Sequence, residues 1–228
     1  MSESASESIV KHTSKTAITM IAFAFLGTAL LAYVFEITRA PIEASEAEAR
    51  LALFKQILPE NSYDNNLLKQ TIEIAPNVLL GNHRPTEANI AILNNKMVAV
   101  ILEALAHDGY SGDIKLLIAI RENGSISGVR VLTHKETPGL GDYIDVAHGQ
   151  WIKLFNDESL AKTPAKQWQV KKDGGKFDYM VGATITPRAV VKAVLKAEQY
   201  FAMNKEALFA KPENAISAQA ELIQKPKD

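Results

Sequence analysis

Residues 88–133 read ANIAILNNKMVAVILEALAHDGYSGDIKLLIAIRENGSISGVRVLT, and this stretch decides the fold. Two apolar runs, Ala88–Leu93 and Lys96–Ala106, flank an Asn94-Asn95 turn. Two more, Ile114–Arg121 and Ser125–Thr133, flank Glu122-Asn123-Gly124. Asn and Gly supply the positive φ that short hairpin turns demand. Four strands in meander order predict an antiparallel sheet rather than a Rossmann unit. Downstream, a helix ending near Phe155 and short strands around Trp168–Val170 and Phe177–Met180 are expected, with a turn at Asp173-Gly174-Gly175 between the strands. A long helix starting at Pro187 follows, its Val190, Val191, Val194, Leu195 and Phe201 at helical spacing. The class is α+β.

Upstream lies a different kind of segment. Ala17–Phe35, AITMIAFAFLGTALLAYVF, contains no charge over 19 residues. As a helix it spans roughly 28 Å, the hydrocarbon thickness of a bilayer. The alternative is a cleavable signal peptide, but the run is long for one and Thr38-Arg39-Ala40 is a poor cleavage site. A retained transmembrane helix over 16–36 is therefore expected. Lys11 and Lys15 precede it and only Arg39 stands close after it, which places residues 1–15 in the cytoplasm and the bulk of the chain outside. The polar groups within the run are Thr19, Thr28 and Tyr33, none ionisable at neutral pH, so the anchor forms no ion path by itself. Residues 41–58 open on Pro41 and carry Leu51, Phe54, Ile57 and Leu58 as an apolar stripe, predicting an amphipathic helix that leaves the membrane. The organisation is then a cytoplasmic 1–15, an anchor 16–36, a helix and connector 37–87, a folded domain 88–210 and a disordered tail 211–228.

Composition excludes several functions. The chain has 228 residues, a formal net charge of −1 and no cysteine. Without a basic excess, nucleic acid is a poor partner. Without cysteine there is no disulfide, no Cys-ligated iron–sulfur cluster, no thiol catalysis and no haem attachment of the CxxCH type. The five histidines lack HxxxH or HExxH spacing, and no metal ligand is assigned. A redox role would need an organic cofactor.

Two stretches carry chemistry. In Gly182-Ala183-Thr184-Ile185-Thr186-Pro187, Pro187 suits the first helical position and makes Thr186 the N-cap. A phosphate esterified to that hydroxyl would find free N–H groups and a positive helix end, although most N-cap threonines only cap. In Glu136-Thr137-Pro138-Gly139-Leu140-Gly141, two glycines beside Pro and Leu make a loop that can lie flat against a planar ligand, or simply a turn after a strand.

Together, these two stretches and the run Tyr110-Ser111-Gly112 resemble the periplasmic FMN-binding domain family. That family includes the G subunit of Rnf electron-transport complexes and the C subunit of sodium-translocating NADH:quinone reductases. The resemblance extends from the anchor through FDYMVGATITPRAV (177–190) to about Tyr200. It implies FMN joined by a phosphoester to Thr186, the last residue of the G-A-T/S-x-T motif, with Gly182, Ala183 and Thr184 completing recognition. It also implies that Glu136, Thr137, Pro138, Gly139, Leu140 and Gly141 pack around the isoalloxazine ring. The position before the motif glycine, commonly Ser or Asp in the wider family, is Val181 here.

The implied role is electron transfer within a bacterial inner-membrane translocase that couples electron flow to cation transport. The implied partners are the other subunits of that complex and a periplasmic flavin transferase that uses FAD. A dinucleotide fingerprint and an acid/base constellation are both missing, so no catalytic residue is assigned. The rival readings are a tethered anion-binding module and a stand-alone reductase.

Overall fold

The computed structural model describes residues 3–209, with side chains from residue 12 onward. The chain divides into two compact units, residues 1–50 and 51–228.

The first unit is helical. Helix α1 covers Glu3–Ile57 and includes the one segment among the described residues long and apolar enough to cross a membrane. Phe23, Phe25 and Leu31 along it are each at least 70% exposed, which suits lipid around the helix and not a protein core. Thr19 and Thr28 return their hydroxyls to the carbonyls of Lys15 and Ala24, at 2.8 Å each, so neither carries an unsatisfied donor into the apolar zone. The helix expected over 41–58 is present but does not open on Pro41, which lies inside α1. An interior proline is worth about 3 kcal/mol against a helix. The Ala-, Glu- and Leu-rich residues that follow are good helix formers with no capping residue to stop them.

The second unit is built on a five-stranded antiparallel sheet in the order β1-β2-β3-β4-β5: Thr71–Ile74, Thr86–Leu93, Lys96–Ala106, Ile114–Arg121 and Ile126–Thr133. The four predicted strands are present, and Asn94 and Asn95 take positive φ at the first hairpin. The added strand is β1, paired to β2 from Thr71↔Asn89 to Ile74↔Thr86.

Pleating separates two apolar faces. Val100, Leu102, Leu116, Ile118 and Ile120 face one way, against helix α2 (Ile185–Leu208) and the segment 142–177. Ala99, Ile101, Leu117 and Ala119 face the other way, against Phe54, Ile57, Leu58 and Leu67. Both faces are therefore covered, which explains why β4 reads as an almost unbroken apolar run. Buried Arg130 fixes the end of α1 from β5: its Nε donates to Gln56 Oε1 at 2.9 Å and an Nη to the Gln56 carbonyl at 3.0 Å.

Segment 142–177 departs from expectation. Instead of a helix ending near Phe155 it forms 3-10 turns at Asp142–Ile144 and Trp151–Phe155. Of the two short strands, only a single parallel bridge between Val170 and Phe177 forms. What holds this segment is an aromatic cluster, with Phe155 4.8 Å from Phe177 and 5.4 Å from Trp151 between ring centroids. A second fastening is Glu158, which takes hydrogen bonds from Lys176 (2.5 Å), Thr163 (2.6 Å) and Lys162 (2.9 Å). Burial alone would raise its carboxyl, but these donors outweigh burial and hold it at about 2. The expected tail from 211 onward lies outside the described residues.

Glu198, on α2, is buried with Oε1 unpartnered, and burial pushes its carboxyl up to about 8 despite a backbone hydrogen bond from Leu160. The folded protein thus keeps Glu198 neutral while the unfolded chain ionises it above its ordinary 4.5. This group's contribution to stability is complete below pH 4.5 and disappears as pH climbs to about 8. Glu198→Gln removes that dependence. Its stability relative to wild type should grow by roughly 1.4 kcal/mol per pH unit inside the window and level off above it. Urea denaturation at pH 5, 6.5 and 8 measures this, and a pH-independent difference would show that Glu198 is not held neutral.

Candidate functional site

The two motifs meet at the start of α2. After Phe177, the segment 178–180 is held by Trp151, whose Nε1 donates to the Asp178 carbonyl at 2.6 Å, and by the Met180 N–H donating to Tyr143 Oη at 3.2 Å. Gly182 then takes φ +94°, a conformation costly for any other residue, and turns the chain into the helix.

The helix starts at Ile185, two residues earlier than expected. Thr184 is already αR (φ −80°, ψ −25°) and its carbonyl accepts the Arg188 N–H at 3.4 Å, which completes the first turn. Thr186 is therefore not the N-cap but the second helical residue, and Pro187 the third. Pro187 is tolerated there because the first turn needs no N–H from it. The N–H groups of Ile185 and Thr186 have no acceptor within the helix, and they supply the positive end of its dipole.

Thr186 is 1% exposed, and its hydroxyl donates to Glu136 Oε2. Glu136 is itself buried, and its other oxygen accepts the Ser111 N–H at 3.0 Å. The Glu136 N–H donates to His134 Nδ1 at 3.2 Å, and the other ring nitrogen, Nε2, lies 4.0 Å from Asp145 Oδ2. Gly141 closes the arrangement. A Cβ there would lie 2.8 Å from Glu136 Oε2 and 2.9 Å from Thr186 Oγ1, so only glycine leaves the pair intact.

Beside this pair is a cavity of about 360 Å³, within the range of sites for small organic ligands. Glu136, Thr137, Leu140, Gly141, Gly182, Ala183, Thr184 and Thr186 line it, together with Tyr110 and Ile185. Pro138 and Gly139 do not line it. They form the turn in which the Leu140 and Gly141 N–H groups both donate to the Thr137 carbonyl at 3.1 Å. Tyr110, Leu140 and Ile185 are apolar walls exposed to solvent, as a bound planar ring would require. Ile185 and the Ser111 N–H escape sequence reasoning: Ile185 is the variable position of its motif, and a backbone donor leaves no mark in sequence. A second cleft of about 320 Å³, between residues 76–83 and Lys192–Lys196, holds the stacked His83 and His107 but neither motif.

Comparison with known proteins bears on this geometry. Residues 109–199 match the family model of the FMN-binding domain, and residues 1–57 match that of the RnfG N-terminal region. The chain is 47% identical over 193 residues to the G subunit of an ion-translocating oxidoreductase complex of Pseudomonas aeruginosa, covering 85% of this chain and 90% of that one. This chain belongs to the family of such G subunits. Other members are similar along nearly their whole length. That of Pseudoalteromonas atlantica is 40% identical (86% of this chain, 92% of the relative), and that of Aliivibrio fischeri 38% (88% and 95%). The match to the FMN-binding domain begins at Gly109, immediately before the Tyr110-Ser111-Gly112 run, and takes in both motifs.

Proposed function

We propose that this member of the G-subunit family carries FMN as a phosphoester on Thr186 and passes electrons within a membrane-bound, cation-translocating oxidoreductase complex. The observation that carries the proposal is the meeting of Thr186 with Glu136 at the wall of a cavity lined by both motifs, in a chain that matches the FMN-binding domain.

The residues fit the group. The phosphate would sit where the Ile185 and Thr186 N–H groups lack acceptors, in the positive field of α2. The ring would rest among Tyr110, Leu140 and Ile185, with Thr137 and Thr184 offering polar contacts at its edge. FMN supplies the redox chemistry, while the protein positions it and leaves an edge open to partners. An open site suits a carrier that meets other subunits better than an enzyme that must exclude water. Covalent attachment also suits a compartment where lost cofactor is not replaced. In this reading residues 1–15 are cytoplasmic, 16–36 cross the inner membrane, and the FMN-binding domain is periplasmic, where a flavin transferase loads it from FAD. The anchor raises the local concentration of flavin beside its partners.

The test is direct. Protein co-expressed with the transferase should show flavin fluorescence on the denatured chain in a gel, and a colourless denatured band would favour an anion-binding module instead. Orientation has its own readout, a reporter active only outside the cytoplasm fused to the C-terminal end. That fusion should be active, and activity of a cytoplasm-only reporter at the same place would reverse the topology.

A further inference from the structure

Thr186 is a weak nucleophile in a buried place, and among the described residues its reacting atom is hydrogen-bonded by the Glu136 carboxylate. The Glu136 carboxylate is held at both ends. Oε1 is occupied by the Ser111 N–H, which leaves Oε2 to take the Thr186 hydroxyl hydrogen. Gly141, having no Cβ, puts no atom of its own side chain against the pair.

We propose that Glu136 is the base that removes the Thr186 proton when the flavin phosphoester forms, an assignment that rests on Thr186 being the attachment residue. Thr186 Oγ attacks the FMN-side phosphorus of FAD and an O–P bond forms. The pyrophosphate P–O bond breaks, and AMP departs with the bonding electron pair. The hydroxyl proton passes to Glu136 Oε2, and nothing is oxidised or reduced. The same transfer settles the charge of the product. A phosphodiester is anionic, and an ionised carboxylate buried against it would be repelled. Neutral Glu136, having kept the proton, can instead donate a hydrogen bond to a phosphodiester oxygen.

The experiment uses the full-length apoprotein in detergent with purified flavin transferase and FAD, and follows covalent incorporation with time. In Glu136→Gln the Ser111 N–H requires the amide oxygen, so the amide NH₂ faces Thr186 and the hydroxyl hydrogen must turn away. The kcat for incorporation should fall about 100-fold or more, with KM for the acceptor chain little changed and the melting temperature of the apoprotein close to wild type. Glu136→Asp, a carboxylate withdrawn by one methylene, should recover part of the rate. Unchanged kcat in the Gln variant would overturn the assignment. If that variant does not fold, the Asp variant decides, since an undiminished kcat there is equally incompatible with a base in contact with Oγ. Wild-type protein left unmodified at Thr186 would instead refute the attachment reading, and the base assignment with it.

Discussion

Thr186→Val protein, co-expressed with a flavin transferase, is expected to carry no flavin that survives denaturation, while it still folds. Valine keeps the branched shape that packs in the first turn of α2 but removes the only atom able to form the ester. The stability effect is separate. Glu136 Oε2 loses its buried donor, and an unsatisfied buried acceptor costs about 1–3 kcal/mol. A lowered melting temperature therefore says nothing about attachment, whereas gel fluorescence does. Thr184→Val is the informative contrast: Thr184 lines the cavity, but its side chain caps nothing and its carbonyl holds Arg188. Its loading should be reduced and not abolished. Flavin still bound to denatured Thr186→Val would move the attachment elsewhere.

Phe155→Ala is expected to be the most destabilising single change in the second unit, by about 3–5 kcal/mol. Phe155 is fully buried at the centre of the ring cluster, with Trp151, Trp168 and Phe177 within 6.2 Å between centroids. Segment 142–177 combines short 3-10 turns with irregular backbone and contains no strand of the sheet, so lost ring contacts have no ladder to fall back on. The consequence reaches the site. Phe177 and Trp151 fix the start of the segment that leads to Gly182, so loosening them should also slow flavin loading. Urea unfolding of the apoprotein gives the number, and a loss below 1 kcal/mol would mean that the cluster does not hold this segment.

Much of this architecture is legible in the sequence, for identifiable reasons. The strands from Thr86 to Thr133 announce themselves through apolar runs separated by turns of Asn and Gly, both local signals. Strand β1 has four residues and one buried side chain, Ile74, too little pattern to separate from a loop. Segment 142–177 is organised by contacts distant along the chain, such as Glu158 with Lys176 and Trp151 with Asp178. Local propensity does not encode these. Pro41 misleads in the other direction, since a residue that favours helix starts sits inside a helix that its neighbours sustain.

At the site, both motifs are readable as motifs, but their contact is not. Glu136 and Thr186 are fifty residues apart and meet only because β5 and α2 pack on one core. The sequence pattern points to Thr186 capping the helix with its hydroxyl. Thr184 starts the turn instead, which frees the Thr186 hydroxyl for Glu136.

The most direct measurement is the mass of one peptide. Trypsin cutting after Lys176 and Arg188 releases Phe177–Arg188, FDYMVGATITPR, with both candidate threonines inside it. From protein matured with the flavin transferase, this peptide should gain the mass of one FMN less one water, and fragmentation should place the gain on Thr186. An unmodified peptide, or a flavin placed on Thr184, would contradict attachment at Thr186.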